Sequence, residues 1–202
     1  MVTRLRNPIK VEGDNSEERL GLVHVYTGDG KGKTTASLGL SLRAVGNNLK
    51  VYMIQFLKSG MTGELFSAKK LGFTIEQYGV DALKEKQKHL VEFADRTGKF
   101  TFQPDIAEKD AALEGFEHAK KIIESGDYDL VILDEINCVL DKGLIPIGEV
   151  IDLIKDHGRV ELVLTGRDAP KEIMEAADYV SVINRTKHPW QKGIKARKGI
   201  EY

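Results

Sequence analysis

A glycine-rich run at residues 28–35 constrains the fold of this chain more than any other part of its sequence. The run follows an apolar stretch, precedes a helix-like segment, and reads Gly28, Asp29, Gly30, Lys31, Gly32, Lys33, Thr34, Thr35. Glycines between a strand and a helix let successive backbone N–H groups point inward, where the helix adds the positive end of its dipole. Lys33 then offers a positive charge to the outer phosphates of a nucleotide, and the Thr34 hydroxyl can ligate Mg²⁺. We therefore predict a phosphate-binding loop rather than a glycine-rich turn with surface lysines, because strand, glycines, Gly-Lys-Thr ending and helix all coincide.

The loop is one residue shorter than the common pattern. The usual spacing leaves four residues between the first glycine and Gly-Lys-Thr, which would put that glycine at position 27, and this chain has Thr27 there. A shorter loop wraps a phosphate chain differently, so the usual geometry for cleaving the β,γ bond is not implied. The sequence supports nucleotide binding more strongly than nucleotide hydrolysis.

Length and charge narrow the class of protein. The chain has 202 residues, a net charge of −1 and a single cysteine, Cys138. We expect one α/β domain at residues 21–202, preceded by an N-terminal arm, residues 1–20, that is flexible or orders over the active site. The dispersed charge gives no reason to expect a nucleic-acid or membrane partner. No run approaches the ~20 apolar residues of a membrane helix, and one cysteine suits a reducing compartment, so we expect a cytoplasmic protein.

Strand-like and helix-like segments alternate after the arm. Short apolar runs with the composition of buried strands occupy residues 21–27, 50–57, 73–79, 130–133, 160–165 and 179–183. Helical patterns occupy residues 33–45, roughly 63–71, 106–125, 147–156 and 170–177. This alternation predicts a mainly parallel sheet with helices on both faces and a ligand at the carboxyl ends of the strands.

Charged residues follow two of the predicted strands. The run at 130–133 ends in Asp134 and Glu135, and an acidic residue there usually reaches the Mg²⁺ beside a phosphate loop. Glu135 is a second metal-side group or a base that activates water. Arg167 follows the strand at 160–165, where an anionic ligand would lie. Arg43, within the first helix, either reaches back to phosphate or faces solvent. No Ser-His-Asp order, pair of catalytic carboxylates or Cys/His metal spacing stands out in the sequence.

These motifs resemble the P-loop corrinoid adenosyltransferases, the ATP:cob(I)alamin adenosyltransferases of the cobalamin-synthesis type. The resemblance extends over residues 21–202. It is carried by the matching segments at residues 25–35, 38–40, 43–46, 55–58, 133–137, 164–167, 187–188, 193–196 and 199–202. A phosphate loop alone is weakly specific, whereas the short loop together with this C-terminal tail is highly specific.

The resemblance implies a reaction that needs no protein nucleophile. In that family the reduced cobalt of the corrinoid attacks the 5′-carbon of ATP and displaces triphosphate, so the cofactor-like substrate carries the chemistry. The resemblance implies that Thr34 with Asp134 or Glu135 handles Mg²⁺ (or Mn²⁺), and that Lys33 and Arg43 contact phosphate. It also implies an electron-donating reductase, such as a flavoprotein, and a homodimer in which one subunit's N-terminal arm covers the other's site.

The segment between the third strand and the long helix departs from the family pattern. The family places a Phe and a Trp two residues apart there, to displace the lower ligand of cobalt, and this chain has Phe100 and Phe102. A phenylalanine can exclude water and pack on the corrin face. Packing in the protein core is the alternative for both rings.

Two other functions remain open at this point. In a recombinase-type ATPase, Glu135 would activate water, and the products would be ADP and phosphate. In a non-catalytic nucleotide sensor, ATP would order the N-terminal arm and recruit a partner without turnover. The phosphate product formed from ATP with a reduced corrinoid distinguishes all three.

Overall fold

The computed structural model describes residues 20–79 and 106–201. Within these ranges six strands and six α-helices alternate. The strands are β1 (Val23–Thr27), β2 (Val51–Phe56), β3 (Thr74–Tyr78), β4 (Leu130–Asp134), β5 (Glu161–Thr165) and β6 (Tyr179–Val182). The helices are α1 (Lys33–Gly46), α2 (Gly63–Leu71), α3 (Ile106–Ser125), α4 (Ile136–Asp141), α5 (Ile147–Asp156) and α6 (Lys171–Ala176), followed by a 3₁₀ turn at Pro189–Lys192.

The strands form one parallel sheet in the order β3-β2-β4-β5-β1-β6. The central strands β2 and β4 are buried along their whole length, which suits their continuous apolar sequences. In a parallel sheet all carboxyl ends meet at one edge. The register pairs Gln55 at the end of β2 with Asp134 at the end of β4, so the phosphate loop after β1 and the acidic pair after β4 lie at the same edge.

Two apolar clusters cover the two faces of the sheet. Helices α3 to α6 pack on one face, where Phe116 of α3 and Ile173 of α6 are fully buried. Helices α1 and α2 cover the other through Ala44 and Ala68, which pack against Met53 of β2. Burying each large apolar side chain contributes roughly 1.5–3 kcal/mol to stability. The predicted α/β fold with helices on both faces of a parallel sheet is thus confirmed.

Two details differ from the sequence expectations. Strand β6, expected to be buried, is exposed at all four residues because it forms the edge of the sheet and pairs with β1 alone. The six-residue helix α4 was not predicted, because it begins directly at the acidic pair and is too short to show helical periodicity. The N-terminal arm and the aromatic pair Phe100 and Phe102 lie outside the described residues. In the described ranges no helix is long and apolar enough to cross a membrane.

Candidate active site

The glycine-rich run forms a loop between β1 and α1, as predicted, and it packs against the chain that follows β6. Gly28 and Gly32 adopt positive φ angles of 101° and 129°. A Cβ at Gly28 would lie 2.5 Å from the Ile183 carbonyl oxygen, so only glycine fits there. The Gly30 N–H donates to the same oxygen at 2.7 Å. That N–H is therefore committed to holding the loop rather than to a phosphate.

Lys33 begins α1 and folds back over the loop. Its side chain is buried, and Nζ donates to the carbonyl oxygens of Gly28 and Gly30, both at 2.7 Å. Burial lowers the pKa of Lys33, because desolvation disfavours the ammonium form. The ammonium is therefore held at the mouth of the loop by two neutral carbonyls, which a phosphate oxygen with a full charge can replace.

Asp134 is the hub of the site. Its side chain is fully buried at the end of β4. One carboxylate oxygen, Oδ1, accepts from the hydroxyls of Thr34 at 2.9 Å and Thr165 at 2.6 Å. The other, Oδ2, accepts from Gln55 Nε2 at 3.1 Å and forms an ion pair with Lys58 Nζ at 2.5 Å. The structure thus brings Thr34 and Asp134 together, the two groups that the sequence associates with a metal.

Glu135 adopts a left-handed conformation, with φ of 65°, and precedes α4 as its N-cap. Its N–H donates to Thr165 Oγ1 at 3.1 Å. Its carboxylate accepts from the Cys138 thiol at 3.0 Å, and the Arg167 N–H donates to that sulfur at 3.2 Å. Burial and the Glu135 carboxylate raise the pKa of Cys138 to about 12, so the thiol stays protonated at neutral pH. Glu135 and the backbone of Arg167 are thereby linked through one partly buried sulfur.

A cationic pocket of about 720 Å³ lies between the loop and the C-terminal tail. It is lined by basic side chains from the loop, from the segment after β5 and from the tail, namely Lys31, Arg167, Arg185, His188, Lys195 and Arg197. Such a concentration of positive charge in one concavity suits a polyanionic ligand.

Two acidic side chains tie the tail to the loop. Asp29 accepts from the Arg185 N–H at 2.9 Å and pairs with its guanidinium at 3.3 Å. Glu201 pairs with Lys31 at 2.9 Å and with Arg197 at 3.0 Å. These partners lower the pKa of both carboxyls, Asp29 mainly through the Arg185 N–H and Glu201 mainly through Arg197. The tail is therefore docked on the outer side of the phosphate loop by charge.

Arg43 lies away from the phosphate loop. It lies exposed in the last turn of α1. At 1.5 Å per residue it stands about 14 Å along the helix from Thr34, which is beyond the reach of an arginine side chain. Thr35 is exposed in the first turn of α1, next to the site.

The sequence reading missed four groups that the structure places at the site: Gln55, Lys58, Thr165 and Arg185. Gln55 lies near the end of an apolar strand and Lys58 follows it, and that strand carries no acidic or glycine signal. The one available signal was the resemblance, whose matching segments include residues 55–58 and 164–167 but not Arg185. Residues 20–79 and 106–201 contain no group of three or more His, Cys, Asp or Glu side chains that could hold a metal ion.

Comparison with known proteins agrees with this geometry. Residues 19–202 match the family model of the ATP:corrinoid adenosyltransferase BtuR/CobO/CobP. The corrinoid adenosyltransferase of Escherichia coli K12 is 31% identical over 202 residues, covering 98% of this chain and 94% of that protein. Corrinoid adenosyltransferase CobA of Salmonella typhimurium is 30% identical with the same coverage. A corrinoid adenosyltransferase of Sinorhizobium is 33% identical and covers 96% of this chain and 85% of that protein.

Proposed function

The chain belongs to the ATP:corrinoid adenosyltransferase family, and from that premise we propose how its residues transfer the 5′-deoxyadenosyl group of ATP to the reduced cobalt of a corrinoid. The assignment of roles rests on the cationic pocket between the phosphate loop and the C-terminal tail. Triphosphate is a highly charged leaving group, and positive groups fixed beforehand around it lower the barrier without reorganisation.

The reaction balances without acid–base help from the protein. The electron pair of Co(I) forms the bond to C5′, the bond from C5′ to the phosphate oxygen breaks, and its electrons leave with triphosphate. No proton is removed from the attacking atom, so no general base is needed. This fits a site in which the Glu135 carboxylate already accepts from the Cys138 thiol. The same contact does not favour the ATPase alternative, in which Glu135 would have to activate water.

We assign the phosphates of ATP to the loop between Gly28 and Thr35. The N–H groups from Lys31 onward and the Lys33 ammonium would contact them. Arg167 and Arg185, at the rim of the cationic pocket, would neutralise the leaving triphosphate. Arg43 carries no role in this assignment, because α1 holds it away from the loop.

The residues present fit a hard divalent cation. The Thr34 hydroxyl and the buried Asp134 carboxylate are adjacent oxygen ligands, 2.9 Å apart, with Glu135 as the next carboxylate along the chain. Mg²⁺ (or Mn²⁺) bound with ATP would supply charge neutralisation of the phosphates. Thr34 and Asp134 orient each other through their hydrogen bond, and Thr165 and Gln55 hold the carboxylate in place.

Further parts of the proposal rest on the family resemblance. Phe100 and Phe102 would displace the lower ligand of cobalt and make Co(II) reducible. A reductase, such as a flavoprotein, would deliver the electron in the cytoplasm, and two chains would pair so that each N-terminal arm covers the partner's site. Phe102→Ala should then depress adenosylation from Co(II) with a reductase far more than adenosylation from preformed Co(I). Equal losses in both assays, with a collapsed melting temperature, would assign the ring to the core instead.

The test of the site assignment pairs two arginine variants. Wild type, given Mg-ATP and a chemically reduced corrinoid, should form a light-sensitive alkylated corrinoid. Arg185→Met should slow this by at least about tenfold, less than the roughly 10²–10³ of a fully preorganised contact because the Arg185 side chain is 38% exposed. Arg159→Met, exposed before β5 at the opposite edge of the sheet, should leave the rate unchanged. Equal rates for both variants would contradict the placement of triphosphate in this pocket.

A further inference from the structure

Lys58 contacts both side chains assigned to the metal. Its Nζ lies 2.5 Å from Asp134 Oδ2 and 3.5 Å from Thr34 Oγ1. The Asp134 side chain is fully buried, whereas that of Lys58 is 25% exposed. A lysine ammonium is a compact charge on a flexible stem, so it can pair with a buried carboxylate and still move toward solvent. A singly charged group of the chain itself therefore lies where Thr34 and Asp134 would hold a cation.

The backbone that carries Lys58 is fixed on both sides. Leu57 takes a left-handed conformation with φ of 55°, which is uncommon for a bulky residue, and its N–H donates to the Tyr78 carbonyl at 3.1 Å. A Cβ at Gly79 would come within 2.4 Å of the Lys58 carbonyl oxygen, so the neighbouring strand end is packed directly against Lys58. Strained backbone of this kind persists where the surroundings over-determine it, often at functional sites.

Lys58 is also the group that balances the charge of Asp134. Within residues 20–79 and 106–201 the carboxylate forms an ion pair with Lys58, while its other described partners, Thr34, Thr165 and Gln55, are neutral. A buried carboxylate is costly without a positive partner. A divalent cation bound to the same carboxylate would repel the ammonium, because the two charges would lie close together in a buried place. This repulsion disfavours holding both cations against Asp134 at once.

We propose that Lys58 and the divalent cation are alternative counterions of Asp134. The ammonium balances the carboxylate until a metal–nucleotide complex binds, and the metal then displaces it toward the phosphates. This inference rests on the proposed assignment of Thr34 and Asp134 to the metal. Competition from Lys58 makes the metal bind weakly by itself and strongly with ATP, because only the nucleotide offers the displaced ammonium a new anionic partner.

The experiment measures Mn²⁺ binding to the full chain in the absence of nucleotide, by the electron paramagnetic resonance signal of free Mn²⁺. Lys58→Met should bind Mn²⁺ at least about tenfold more tightly than wild type, since the competing charge is gone. Lys70→Met, exposed in the last turn of α2, removes the same charge from the chain and should match wild type. Mn²⁺ should also raise the melting temperature of Lys58→Met and leave that of wild type nearly unchanged. Equal Mn²⁺ affinity in wild type and Lys58→Met, including no binding by either, would overturn the proposal.

Two further variants separate this inference from the metal assignment. In the double variant Lys58→Met with Asp134→Asn, the gained Mn²⁺ affinity should disappear. If the gain persists, the metal assignment is wrong. If wild type binds Mn²⁺ through Asp134 as tightly as Lys58→Met does, the assignment stands and the competition is refuted. Lys58→Gln keeps an amide donor for Asp134 and should show the same gain in Mn²⁺ affinity. This second variant tests the proposal even if Lys58→Met folds poorly.

Discussion

Replacing Asp134 with asparagine tests the hydrogen-bond hub of the site while changing one atom. Asparagine can keep a carbonyl oxygen toward Thr34 and Thr165, but it then turns an NH₂ group toward Gln55 Nε2 and Lys58 Nζ. Both of these groups are donors, at 3.1 Å and 2.5 Å from the present carboxylate oxygen. The variant therefore places three donors together without an acceptor in a position that is fully buried.

The expected loss follows from these contacts. A buried donor without an acceptor costs about 1–3 kcal/mol, and removing one partner of a fully buried ion pair costs about 3–5 kcal/mol. Lys58 can turn to water and Gln55 can still reach Glu64 Oε1 at 3.3 Å, so both penalties are reduced. We expect Asp134→Asn to lose about 2–4 kcal/mol of unfolding free energy, which for a chain of this size lowers the melting temperature by about 4–16 °C.

Urea unfolding measures this loss, with Asp127→Asn as the control. Asp127 is exposed in the loop after α3, and its substitution removes the same charge without touching the site. Asp134→Asn should lower the urea midpoint with an unchanged slope, while Asp127→Asn should stay within about 0.5 kcal/mol of wild type. A loss below 1 kcal/mol for Asp134→Asn would show that the carboxylate is not the hub described here.

Three other outcomes follow from the same geometry. Lys33→Ala should lower turnover by about 10²–10³, the scale for one preorganised electrostatic contact, and a variant of near-full activity would remove Lys33 from the mechanism. Gly30→Ala should destabilise the protein and expose the C-terminal tail to limited proteolysis, because the added Cβ would lie 2.7 Å from the Ile183 carbonyl oxygen. The control Gly39→Ala, which has open space around it within α1, should be neutral or stabilising. Since the pKa of Cys138 rises from 9.0 to about 12, its alkylation at pH 8 should be about 10³ slower in the native protein than in urea. Comparable rates would contradict the partly buried hydrogen bond to Glu135.

The sequence predicted those parts of the molecule that depend on local pattern. The loop between a strand and a helix could be predicted because the residues that form it, the glycines with Lys33 and Thr34, are consecutive in the sequence. Asp134 was placed correctly at a strand end because a charged residue after an apolar run rarely lies elsewhere. The alternation of strands and helices likewise predicted the parallel sheet.

The parts that could not be predicted depend on pairing between distant segments. Lys58 meets Asp134 because β2 and β4 are neighbours in the sheet, and nothing in either segment reveals that order. The Gly30 N–H donates to the carbonyl oxygen of Ile183, which lies more than 150 residues further along the chain. The resemblance implies that Arg43 contacts phosphate, whereas the structure places it exposed in the last turn of α1, and the sequence pattern of that helix does not show how far Arg43 lies from the loop.

The phosphate product that the protein forms from ATP distinguishes adenosyl transfer from ATP hydrolysis. Wild type would be incubated with Mg-ATP and a chemically reduced corrinoid, and the products would be resolved by ³¹P nuclear magnetic resonance. We expect intact triphosphate in equal amount to the alkylated corrinoid, and little phosphate release when the corrinoid is omitted. ADP and inorganic phosphate, formed at the same rate with or without the corrinoid, would contradict this expectation.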